Sequence, residues 1–180
     1  MKTIKKFVVI GPESTGKSTL CTQLAEHYKT LWVPEYAREY LLKNGTDYSF
    51  EELLIIAKGQ IELEEDISHQ ASDQTYAKSL LFIDTDMYVM KVWCEFVFNK
   101  CHNWILNRIA ERHYDGYILC NPDLDWTADD LREYPDKAER EKLYHYYNDL
   151  MINQPVPWAN IKGDYNERLQ KAVKFVDENI

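Results

Sequence analysis

Two apolar rhythms alternate along the chain. Short unbroken runs (Phe7-Val8-Val9-Ile10, Leu31-Trp32-Val33, Leu80-Leu81-Phe82-Ile83, Tyr117-Ile118-Leu119-Cys120 and Trp158 to Ile161) are separated by stretches with apolar positions at helical spacing. Runs of this kind read as strands buried on both faces. The first helix is expected from Lys17, with Leu20, Leu24 and His27/Tyr28 on one side. A second is expected over Tyr36 to Lys43, stopped by Asn44-Gly45. Ser49 with Glu52 forms a capping box that opens a long helix to about Ser72. Its apolar side carries Leu53, Ile56, Ile61, Leu63 and Ile67, and Glu62, Glu64, Glu65 and Asp66 are expected on a solvated face. Further helices are expected from Asp86 to about Asn99, Cys101 to Tyr114, Ala138 to Asn153 and Tyr165 to Glu178. Residues 124–140, polar and charged with Trp126 and Pro135 among them, read as a mobile lid. Strands alternating with helices predict one α/β domain over residues 1–180, in three layers, with a mainly parallel sheet. The pattern does not set the strand order.

Composition narrows the class. A chain of 180 residues suits one domain with a substantial core. The net charge of −9 argues against a protein built around nucleic-acid backbone contacts. No run reaches the roughly 20 apolar residues of a membrane span, and no signal peptide precedes the first strand, where Lys2 and Lys5-Lys6 lead directly into the apolar run. Cys21, Cys94, Cys101 and Cys120 form no C-x-x-C pair and read as buried free thiols of a cytoplasmic protein. The histidines show no metal-ligand spacing.

The chemistry enters between the first strand and the first helix. Gly11-Pro12-Glu13-Ser14-Thr15-Gly16-Lys17-Ser18 fits the phosphate-loop pattern G-x-x-x-x-G-K-[S/T], and its strand–turn–helix setting supports the match. Such a loop wraps successive N–H groups around a triphosphate at a helix N-terminus. Gly11 and Gly16 permit the close approach. Lys17 is expected on the β- and γ-phosphates and Ser18 on Mg²⁺. Glu13, Ser14, Thr15 and Thr19 complete the candidate nucleotide contacts. The fold expected is therefore the three-layer, P-loop nucleoside-triphosphate-binding type, with a lid segment.

A phosphate loop does not name a reaction. A GTPase would need a guanine-reading N/T-K-x-D, and Asn99-Lys100-Cys101-His102 lacks the Asp; Asp84-Thr85-Asp86-Met87 lacks the Gly of D-x-x-G. A small-molecule kinase needs a carboxylate near an acceptor hydroxyl and a basic lid. Asp84, at the end of an apolar strand, is the candidate Mg²⁺ ligand with Ser18. Asp86 is expected in the same crevice or as a helix cap. Glu35 ends the second strand, placed to accept a proton. Arg38 pairs with Glu35 or contacts a phosphate. Arg132 and Arg140 read as lid arginines that neutralise the transferring phosphoryl group.

Gly11 to Ser18, Glu35-Tyr36-Ala37-Arg38-Glu39-Tyr40, Phe82-Ile83-Asp84-Thr85-Asp86 and Trp126-Thr127-Ala128-Asp129-Asp130-Leu131-Arg132, in this order, resemble the nicotinamide riboside kinase family. The resemblance implies ATP-dependent phosphorylation of the ribose 5′-hydroxyl of nicotinamide riboside, giving nicotinamide mononucleotide, with Lys17 and Ser18 serving ATP and Mg²⁺. It also implies that Glu35, Asp84 and Asp86 line the acceptor and metal site and that Arg132 and Arg140 belong to the lid. Glu35 and Asp86 remain rivals for the base. Tyr36, Tyr40, Tyr88, Trp93 and Trp126 flank these motifs as candidate contacts for a flat cationic ring, with core packing the alternative for each. In multifunctional relatives this kinase forms the C-terminal domain; with Met1 just before the first strand, a stand-alone enzyme is expected. The alternatives are a kinase of another nucleoside or small metabolite and a nucleotide-binding regulatory ATPase. Oligomeric state is not legible.

Overall fold

The five apolar runs become five strands of one parallel sheet. The computed structural model describes residues 4–73 and 79–180, so Met1 and Lys2 lie outside it. In chain order the elements are β1 (Lys5–Ile10), α1 (Lys17–Tyr28), β2 (Leu31–Val33), α2 (Tyr36–Asn44), α3 (Phe50–Asp73) and β3 (Leu80–Asp84). They continue with α4 (Met87–Phe98), α5 (Asn103–Glu111), β4 (Gly116–Cys120), α6 (Lys137–Ile152), β5 (Trp158–Ile161) and α7 (Tyr165–Asp177). The strand order is β2-β3-β1-β4-β5. β1 thus lies between β3, with Val9 opposite Asp84, and β4, with Ile10 opposite Leu119. That order brings the loop after β1 beside the carboxylate at the end of β3.

Strand residues alternate between two apolar layers, which is why the runs are continuous rather than alternating. Phe7, Val9, Phe82 and Ile118 pack against Leu20 and Leu24 of α1 and Ala172 and Val176 of α7. Val8, Ile10, Ile83 and Leu119 pack on the other face against Val89 and Val92 of α4 and Leu143 and Tyr147 of α6. Leu53, Ile56 and Ile61 of α3 join Met90 of α4 and Ile105 of α5 in a third cluster beneath α2.

Two expectations change here. Glu64 is not on a solvated face: it is buried, paired with Lys6 Nζ and Arg112 Nη2, both at 2.8 Å, and accepts the Tyr114 hydroxyl. Burial favours its neutral form, but Lys6 and Arg112 outweigh that and hold the carboxyl below its ordinary value. The expected helix from Cys101 to Tyr114 is shorter, because His102 caps it and the chain leaves the helix at Arg112.

Gly59 shows how the helices are spaced. A Cβ on this α3 residue would lie 2.1 Å from the Tyr36 ring. Alanine favours helix by about 1 kcal/mol over glycine, but overpacking of this kind costs about 1–3 kcal/mol. Gly59→Ala is therefore expected to lower the urea midpoint despite its better helix propensity. An unchanged or higher midpoint would show that the Tyr36 ring yields freely.

Candidate active site

The loop after β1 turns at Gly11 (φ 142°), where a Cβ would stand 2.6 Å from the Cys120 carbonyl oxygen, and at Gly16 (φ 76°), which caps α1. Gly16 at the N-cap of α1 offers no side-chain cap, so no capping group competes with an anion for the first N–H groups of the helix. Lys17 Nζ donates to the Pro12 carbonyl at 3.0 Å, across its own loop. Thr15, expected as a nucleotide contact, is buried and its hydroxyl donates to the same carbonyl at 2.8 Å. Its side chain staples the loop. Thr19 stays exposed at the cleft margin.

Ser18 Oγ donates to Asp84 Oδ2 at 2.5 Å. Asp84 is fully buried, and burial pushes its carboxyl up while Lys17 and Ser18 hold it down. A buried carboxylate beside a hydroxyl offers two hard oxygens with a charge still to be compensated. That fits Mg²⁺, which takes one or two protein oxygens and completes its shell with phosphate and water.

Thr85 then adopts φ 77°, a conformation that costs a β-branched residue about 1–3 kcal/mol. This turn sends the two acids apart. Asp86 leaves the crevice and caps α4: Oδ1 accepts the N–H groups of Tyr88 (2.9 Å) and Val89 (3.3 Å), and Oδ2 accepts the Tyr117 hydroxyl (3.2 Å). Burial raises its carboxyl to about 7. The expectation that Asp86 lines the same crevice is corrected: both its oxygens are occupied by the protein, and it does not line the cleft.

Glu35 does line the cleft, half-buried at the end of β2. Protein surrounds its carboxyl, although solvent reaches it through the mouth. Burial and then the Asp84 charge raise it to about 7, with Lys17 and Arg38 opposing. The cleft has a volume of about 300 Å³, and its lining includes the phosphate loop and Glu35. It also includes Trp93, as expected, together with Trp32, Phe96, Tyr134 and Tyr147, which motif reading missed.

The remaining candidates divide between the cleft and its surroundings. The Tyr36 ring rests on Gly59, Tyr40 donates to Glu52, and Tyr88 packs on Tyr117; none of the three lines the cleft. Arg38 lines the cleft and pairs with Asp129 of the 121–136 segment at 2.8 Å rather than with Glu35. Arg132 lines the cleft. Arg140 lies inside α6, not in an irregular lid; it is buried, with Nε and Nη1 lacking a partner. Trp126, expected at the substrate, lies outside the cleft lining and has the Arg132 and Arg140 guanidiniums 5.8 and 5.3 Å from its ring centre. Its face serves the arginines. Arg168, unremarked in the sequence, donates to the Thr15 carbonyl of the loop at 2.9 Å.

Residues 6–168 match the profile described as AAA domain, which accounts for nearly the whole site and sheet. The chain belongs to the AAA domain family. It is 27% identical to the trifunctional NAD biosynthesis/regulator protein NadR of Salmonella typhimurium (strain LT2) over 97% of this chain and 42% of that protein. NadR of Escherichia coli (strain K12) is 26% identical over the same shares. The chain thus spans about two-fifths of the length of these relatives. Its fold is shared with a crystal structure of NadR protein in complex with NR (TM-score 0.80, 20% identity, 98% of this chain and 49% of that one). A thymidylate kinase from Ehrlichia chaffeensis shares it as well (TM-score 0.70, 15% identity, 97% and 100%). The α/β fold of P-loop kinases, expected from the strand–helix alternation, is therefore present. Among the described residues no helix is long and apolar enough to cross a membrane.

Proposed function

We propose that this chain is a cytoplasmic kinase that transfers the γ-phosphoryl group of ATP to the ribose 5′-hydroxyl of nicotinamide riboside, giving nicotinamide mononucleotide and ADP. The observation that carries the reading is the geometry of one cleft. That cleft is lined by the phosphate loop, by Ser18, which bonds Asp84, by Glu35, whose raised carboxyl suits a proton acceptor, and by aromatic residues. NadR, similar over nearly the full chain, has been crystallised with NR, which supports this acceptor.

The residues divide the work as follows. The α1 N-terminus and the loop N–H groups bind the triphosphate, and Lys17 leaves the Pro12 carbonyl for its terminal oxygens. Ser18 and Asp84 would hold Mg²⁺, which would neutralise charge on the triphosphate. Glu35 takes the proton of the 5′-hydroxyl as its oxygen bonds to the γ-phosphorus and the bond to the β,γ-bridging oxygen breaks. Arg132 stabilises the charge spread over the transferring group. Trp93 and Phe96, both in the cleft lining, are the aromatic candidates for contact with a flat cationic ring.

The test is a panel of nucleosides incubated with ATP and Mg²⁺, with product masses read out. Nicotinamide riboside is expected to gain one phosphoryl group and to be turned over faster than uridine, cytidine or thymidine. Turnover of those nucleosides without nicotinamide riboside would overturn the acceptor. ATP consumption indifferent to every acceptor would overturn the kinase.

A further inference from the structure

Two consecutive side chains of the phosphate loop reach out of the cradle and grip the 121–136 segment. Glu13 Oε2 accepts the main-chain N–H groups of Glu133 at 3.0 Å and Tyr134 at 3.1 Å. Ser14, held at φ 55°, accepts the N–H of Thr127 at 3.1 Å and Arg132 Nη1 at 3.4 Å. The grips fall on either side of Arg132. The Arg132 guanidinium also donates to the Thr127 carbonyl, and its ring neighbour is Trp126, so its position depends on the stretch that the two grips hold. Two N–H groups on one carboxylate oxygen are charge-assisted bonds, stronger than their neutral equivalents. Burial raises the Glu13 carboxyl above its ordinary value, and the N–H groups of Tyr134 and Glu133 offset part of that by stabilising the charge. On sequence grounds Glu13 belonged with the nucleotide contacts, yet the contacts of its carboxylate are to the lid.

We propose that Glu13 is a positioning residue that latches residues 127–134 over the phosphate loop, so that Arg132 is held at the transferring group and water is kept out. The inference rests on the kinase reading and adds a role to it. In P-loop chemistry the loop binds the donor; here it also closes the site. Without the latch, a water oxygen competes with the acceptor hydroxyl for the γ-phosphorus, and the β,γ bond breaks to give ADP and inorganic phosphate instead of a phosphorylated acceptor.

The experiment compares Glu13→Ala and Glu13→Gln with the parent protein. Amide hydrogen exchange at Glu133 and Tyr134 is expected to speed up in Glu13→Ala with or without ATP. With the acceptor present, kcat is expected to fall roughly 10-fold or more as Arg132 loses its position. The KM for ATP should change by less than about 3-fold, because uniform binding is retained. The ratio of inorganic phosphate to phosphorylated acceptor should rise. Glu13→Gln keeps an oxygen for both N–H groups and is expected to recover most of the loss, which a purely electrostatic role would not allow. Unchanged exchange at the two amides, or an unchanged product ratio, overturns the latch. A raised KM for ATP with kcat preserved would return Glu13 to the nucleotide. If Glu13→Ala does not fold, Glu13→Gln and Ser14→Ala are read by the same exchange and product-ratio measurements, with Ser14→Ala expected to speed exchange at Thr127. A parent protein that phosphorylates no nucleoside would defeat the kinase reading, while the exchange measurement still judges the latch.

Discussion

Arg168→Ala is expected to lower the stability of the protein by about 3–5 kcal/mol, at about 1–3 kcal/mol for each buried acceptor left without its donor. Arg168 is 1% exposed, the largest of the fully buried side chains. Its guanidinium donates to three carbonyls, those of Gly163 (2.7 Å), Thr15 (2.9 Å) and Asn121 (2.9 Å), and pairs with Asp123. These partners belong to the turn before α7, the phosphate loop and the chain leaving β4. Alanine would strand three carbonyl oxygens and a carboxylate around a cavity. Asp123 is partly exposed and can be rehydrated, so the carbonyls account for most of the loss. Because one of them is in the phosphate loop, ATP affinity should fall along with the urea midpoint. Arg168→Lys keeps a charge but not the planar fork that serves several acceptors at once, and should recover only part of the stability. A loss below about 1 kcal/mol in Arg168→Ala, the range of an exposed ion pair, would show that these contacts are replaced by water.

Arg168 also marks the boundary between what was legible in the sequence and what was not. The phosphate loop, the strands and the acid at the end of β3 are local patterns, and the structure places them where the patterns point. Asp84 and Ser18 are 66 positions apart, and only the strand order, with β1 beside β3, brings them together. The same holds for the charges that surprised. Glu64 reads as one of an acidic run, but its partners Lys6 and Arg112 come from elsewhere in the chain. Arg168 did carry a signal: it stands four before Ala172 and eight before Val176, on the buried stripe of α7. A charge on an apolar stripe is a request for buried partners. The aromatic candidates other than Trp93 fall outside the cleft lining for a different reason. Proximity to a motif in sequence says nothing about which way a ring faces, and Tyr36, next to Glu35, is turned onto Gly59 of a different helix.

Glu35→Gln is expected to reduce the single-turnover rate of phosphoryl transfer by about 10²–10⁴-fold, the usual worth of a positioned general base. Asp86→Asn should cost far less, since an amide oxygen can still accept the Tyr88 and Val89 N–H groups that Asp86 caps. The pH dependence separates chemistry from stability. Burial and the neighbouring Asp84 raise the Glu35 carboxyl from an ordinary 4.5 to about 7. A base must be ionised to work, so kcat/KM for the acceptor should climb with pH well above the ordinary carboxylate range, towards 7. The Gln variant should lose that limb. Stability runs the other way. Between 4.5 and about 7 the folded state keeps a proton that the unfolded chain has released. The contribution of Glu35 to stability is therefore complete below the unfolded value and is lost as pH rises through the folded one. Glutamine cannot titrate, so Glu35→Gln should gain stability relative to the parent as pH rises from 4.5 to about 7 and hold that gain above it, where it is least active by comparison. A carboxylate kept for packing would give the opposite pairing, with stability falling and the rate unchanged. Should Asp86→Asn show the large rate loss and Glu35→Gln a small one, the base would be Asp86 and the turn at Thr85 would have to reopen during catalysis.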